Sequence, residues 1–115
     1  MNLLIIFFSF VLVHSLVWFS TNLQLIKDFD QSKALIWCTL LAIPTSLTAY
    51  FVTKVAYDYF ESAWSVRLFG HGMSYLVFPL LTWVLLNESP FQTKTMICVI
   101  LSLCIIMVQI FYPTN

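Results

Sequence analysis

The chain has 115 residues, 61% of them hydrophobic and only 9% charged, and its five basic and five acidic residues give a formal net charge of zero. Soluble domains carry about 25% charged residues, and a chain this short has too little interior to hide so much apolar surface, which sets a soluble fold aside. Zero net charge without a basic patch excludes nucleic acid as a partner, and no polybasic cluster flanks an apolar stretch.

Four apolar stretches, 3–25, 35–55, 63–86 and 96–112, take up nearly the whole sequence. A bilayer-spanning helix needs about 20 apolar residues. The stretches are too continuously apolar for the alternating strands of a membrane barrel. The expectation is an all-α membrane protein, with four transmembrane helices in an up-down bundle forming one domain over 1–115.

The first stretch loosely resembles a signal peptide with a small residue at Ser15. No positive charge precedes it, and apolar sequence continues through Leu16–Phe19, so a retained first helix is expected. His14 lies near its middle. Trp18 and Asn22 follow at helical spacing, so the three share one face. This face reads either as a polar lining with a titratable group or as glue hydrogen-bonded to a neighbouring helix.

The first connection, 26–33, carries Lys27, Asp28, Asp30 and Lys33. The second stretch contains Pro44, a candidate kink. The second connection, 54–62, carries Lys54, Asp58 and Glu61, and Asp58 or Ser62 is the candidate cap for the third helix. That helix brings Trp64, Arg67, His71 and Tyr75 to one face. Arg67 either snorkels to the interface, with Glu61 or Asp58 as partner, or lines a cavity. Gly70, Gly72 and Ser74 allow close helix packing, and Pro79 is a second candidate kink. In the third connection, 87–95, Pro90 ends one helix and Thr93 or Thr95 starts the next. The fourth stretch places Cys98, Ser102 and Gln109 near one face, suited to a helix–helix or subunit contact.

The connections are short, so sequential helices run antiparallel. Four spans put both termini on one side. Lys27, Lys33 and Lys94 of the first and third connections, against Lys54 with or without Arg67 on the other side, give a weak bias toward termini facing outward, and insertion both ways round is also compatible. Cys38, Cys98 and Cys104 sit inside apolar stretches as packing residues without metal-type spacing. No nucleophile–base pattern, phosphate loop or metal cluster occurs, so no enzyme, no cofactor and no metal is expected.

The run Phe69-Gly70-His71-Gly72-Met73-Ser74, followed by Leu80-Leu81-Thr82-Trp83, resembles the third helix of the small multidrug resistance family, with Gly72 and Ser74 in place of its glycine pair. Leu86-Asn87-Glu88-Ser89-Pro90-Phe91 is similar to the turn before the last helix in the wider drug/metabolite transporter superfamily. The resemblance covers the whole length in helix number and loop length. It implies a dimeric four-helix transporter of the cell membrane. That family carries a coupling carboxylate in its first helix; here there is none, and His14 lies in the comparable region. An aromatic position of the family's site falls near Arg67, which suits an anionic or zwitterionic solute. The expected function is binding or moving a small amphipathic solute as a homodimer, with His14, Trp18, Asn22, Trp64, Arg67, His71 and Tyr75 as substrate-binding residues. The alternative is a non-transporting accessory subunit of a larger membrane complex.

Overall fold

The computed structural model describes residues 3–112, and the four stretches are four helices: α1 (Leu3–Asn22), α2 (Gln31–Phe60), α3 (Ala63–Leu86) and α4 (Thr93–Phe111). A short 3-10 turn, Leu23–Leu25, follows α1. All four are long and apolar enough to cross a membrane, because a helix alone satisfies its backbone hydrogen bonds without water. The protein is therefore an all-α, multi-pass membrane protein.

Local chemistry sets the helix ends. Asp30 opens α2 by accepting a hydrogen bond from the Ser32 amide at 2.9 Å. Ser62 opens α3 by accepting from the Ser65 amide at 3.3 Å. Glu61 closes α2 at φ 57° and Asn87 closes α3 at φ 58°. Asparagine enters the left-handed region more readily than most residues, since its short polar side chain bonds locally. Gln92 precedes α4 without a side-chain cap, and Thr93 is the first helical residue instead. α2 is longer than the apolar stretch 35–55. It continues through Lys33 at one end and through Asp58 at the other, because charged residues near a span's ends can reach water without breaking the backbone ladder. Pro44 and Pro79 both lie inside continuous helices.

The aromatic residues place the helices in the bilayer. Trp37 and Tyr57 of α2 are both exposed, as are Trp64 and Trp83 of α3. Their separations, 20 and 19 residues, correspond to about 30 Å of helix. That equals the hydrocarbon thickness of about 30 Å, and such rings favour the two membrane interfaces. The ends of α2 therefore project past this belt and carry Lys33 at one end and Asp58 at the other, while Lys54 lies about one turn inside Tyr57, within snorkelling reach of the interface.

α1 packs on both α2 and α3, while α4 packs chiefly on α3. The result is flattened, 49 × 35 × 19 Å. The buried core joins Ile6, Phe10 and Val13 of α1, Val52, Ala56 and Phe60 of α2, Val66, Phe69 and Met73 of α3, and Ile106 of α4. It lies toward the end where α2 turns into α3. The Phe69 ring is central, with Phe60 at 5.3 Å and Phe10 at 5.5 Å between centroids. Gly72 lets α4 approach closely: a Cβ there would stand 2.7 Å from Ile106 Cγ1 and 3.2 Å from the Ser102 carbonyl.

Candidate functional site

The polar residues of the spans divide between two roles. Trp18 and Asn22 are structural. The Trp18 indole, 2% exposed, donates Nε1–H to Thr82 Oγ1 at 3.0 Å and ties α1 to α3. Buried indoles normally find such a partner. Asn22 turns back on its own helix, donating to the Trp18 carbonyl at 3.2 Å and to Thr21 Oγ1 at 2.9 Å.

The second group meets at a cleft of about 270 Å³ where α1, α2 and α3 adjoin. α1 contributes Phe10 and His14; α3 contributes Ala63, Val66, Arg67, Gly70 and His71; α2 contributes Thr53 and Tyr57. His14 Nε2 lies 2.7 Å from the Gly70 carbonyl oxygen. A carbonyl only accepts, so Nε2 carries the proton, and in the neutral ring Nδ1 remains as an acceptor. The imidazole also stacks against Phe10, with centroids 6.0 Å apart and planes 19° from parallel. Gly70 is tight here: a Cβ would stand 3.0 Å from the Phe10 ring edge. His14 is thus both glue and cleft wall.

Arg67 and His71 are exposed along this cleft, one turn apart. Among the described residues, neither Glu61 nor Asp58 pairs with Arg67, and no hydrogen bond engages the hydroxyls of Thr53 and Tyr57. No carboxylate among the described residues lines the cleft. Its unengaged polar groups are a guanidinium, an imidazole and two hydroxyls against an apolar wall of Phe10 and Val66. This donor-rich set fits an anion joined to an apolar body.

Trp64 and Tyr75 lie outside the cleft. Trp64, 76% exposed in the first turn of α3, belongs to the interfacial aromatic belt. Tyr75 lines a different, almost wholly apolar groove of about 570 Å³, along α1, α3 and the start of α4, with Leu76, Trp83 and Phe91. A helix turns 100° per residue, so Tyr75, eight residues beyond Arg67, has drifted from its face. Gly70 and Gly72 serve different neighbours, α1 and α4, while the Ser74 hydroxyl donates to the His71 carbonyl at 2.6 Å. Ser102 is buried beside Gly72, whereas Cys98 is exposed.

Sequence reasoning did not single out Thr53, which lay within the apolar stretch 35–55, or Tyr57, which fell in the apparent loop 54–62. Their i, i+4 spacing, continued backward by Ala49 and Ser46, was the available signal. No family model matches this chain, and no curated protein or solved structure matches it either.

Proposed function

We propose that this protein binds a small anionic amphipathic solute in the α1–α2–α3 cleft and moves it across the cell membrane as a homodimer. The observation that carries the reading is the convergence of Arg67, His71 and His14 on one cleft without a carboxylate. A lone guanidinium near hydrocarbon is costly unless water or an anion accompanies it. The planar fork of Arg67 holds a phosphate or carboxylate through paired hydrogen bonds, and Phe10 and Val66 take the apolar part. One 115-residue chain encloses little space, so a continuous path forms most easily between two protomers. The small multidrug resistance resemblance puts an aromatic position of that family's site near Arg67, and a cation there suits an anionic or zwitterionic solute.

The test is binding of octyl phosphate and octyltrimethylammonium to the protein in phosphatidylcholine nanodiscs. Octyl phosphate is expected to bind preferentially. Arg67→Lys should fold normally yet bind about tenfold more weakly, since Lys keeps the charge but not the fork. Wild-type binding by Arg67→Lys would reduce Arg67 to an interfacial anchor and remove the anion site. A detergent-solubilised mass of two chains supports the dimer. Stable co-purification with unrelated subunits would favour the accessory role.

A further inference from the structure

The cleft does not end at Arg67. Thr53 and Tyr57 also line a second recess, a shallow trough of about 550 Å³ on the outer face of α2 that includes Ser46, Ala49 and Tyr50. Ser46, Ala49 and Thr53 recur at helical spacing, so their small side chains form a recessed line along α2. From Tyr57 to Ser46 is 11 residues, about 16 Å of helix. That matches the depth of one leaflet, half of the hydrocarbon thickness of about 30 Å.

The polar end of this track is at the correct depth. Tyr57 and Trp64 are part of the aromatic belt at one interface, and Arg67 lies less than one turn beyond Trp64. The donor cleft therefore opens at headgroup level, while the trough runs from it toward the bilayer centre. Lys54 and Asp58 both line the outer end of the trough, one basic and one acidic, whereas Arg67 is the cation of the cleft itself.

We infer that the ligand of this cleft is a membrane lipid with a phosphate headgroup, held with its phosphoryl oxygens on Arg67 and one acyl chain along the Thr53–Ala49–Ser46 track. The inference rests on the anion-binding reading above and deepens it: the solute enters sideways from the leaflet. A single shaped cleft holds it, in place of the polybasic patch that the sequence lacks. The shared chemistry is a phosphate ester, and the lipid source follows from the match between track length and leaflet depth.

Dioleoyl phosphatidic acid, octyl phosphate and glycerol 3-phosphate, each titrated into phosphatidylcholine nanodiscs carrying the full chain, separate the possibilities. The expected order is phosphatidic acid tightest and glycerol 3-phosphate weakest, with Arg67→Lys weakening phosphatidic acid about tenfold. Ser46→Trp, at an exposed position in the trough and away from the cleft, should block the chain track. It is expected to weaken phosphatidic acid several-fold and leave glycerol 3-phosphate unchanged. If octyl phosphate binds through Arg67 while phosphatidic acid shows no preference over the phosphatidylcholine background, the lipid inference falls and the small-solute reading stands. The lipid inference falls equally if Ser46→Trp leaves phosphatidic acid binding intact. If none of the three binds, both readings fall.

Discussion

His14 shows how one side chain serves packing and the site together. Its Nε2–H reaches the Gly70 carbonyl at 2.7 Å, and a glutamine amide nitrogen sits the same number of bonds beyond Cβ. His14→Gln should therefore keep the α1–α3 tie, while His14→Ala should lose about 1 kcal/mol, the usual scale of an interhelical hydrogen bond in a membrane. Unfolding in mixed detergent micelles measures the difference, and equal stabilities for the two variants would remove the tie. The Trp18–Thr82 bond marks a second anchor on the same pair of helices. The two side chains start four residues apart on α1 and end 12 residues apart on α3. Together they brace much of α3 against α1. Arg67 differs in kind, because no group among the described residues engages it. Its part is accordingly read from ligand response rather than from stability.

Among the helices, α3 carries the closest contacts, and Gly72 is the point where α4 depends on it. Ile106 is β-branched and stiff in a helix, so it cannot swing aside for a new methyl group 2.7 Å away. Gly72→Ala should cost about 1–3 kcal/mol through overpacking. In an Ile106→Ala background the added cost should shrink, because the blocking carbon is gone. A double-mutant cycle on unfolding free energy reads this directly, and full additivity would show that the two positions do not meet. Gly70→Ala should be milder, since the Phe10 ring edge stands 3.0 Å off and an aromatic ring can tilt. α2 behaves differently from α3. It buries only Ala34, Val52, Ala56 and Phe60, so most of its surface is exposed in the single chain. Its exposed face includes the Ser46–Ala49–Thr53 trough proposed above as a ligand track.

The whole molecule follows an alternating path through the bilayer. Lys27 and Glu88 sit in the first and third connections, and Asp58 lies near the opposite end of α2. In a chain with its three native cysteines replaced by alanine, cysteines at Lys27 and Glu88 should react with an impermeant reagent from one side, and a cysteine at Asp58 from the other. Labelling of positions 27 and 58 from the same side in one population of molecules would break the topology. The number of helices and their approximate limits were legible because apolar length is a one-dimensional property, written residue by residue. The cap of α3 was legible as one of two candidates, Asp58 or Ser62, for the same reason, since capping acts over three residues, and Ser62 is the one that accepts from the Ser65 amide. The limits of α2 were the exception, because Lys33, Lys54 and Asp58 look like loop residues until the helix is seen to continue through them. The face Trp64–Arg67–His71–Tyr75 was legible as a pattern but not as a site. Only the packing of α1 and α2 against α3 selected Arg67 and His71, left Trp64 at the interface and turned Tyr75 to another groove. The same packing consumed Trp18 on Thr82 and brought in Thr53 and Tyr57. Sequence by itself thus determined a four-helix chain built for lipid, since burial in hydrocarbon depends on local composition. Tertiary structure decided which polar groups pair with one another and which stay open to a ligand, since that depends on distances between helices that no local pattern encodes.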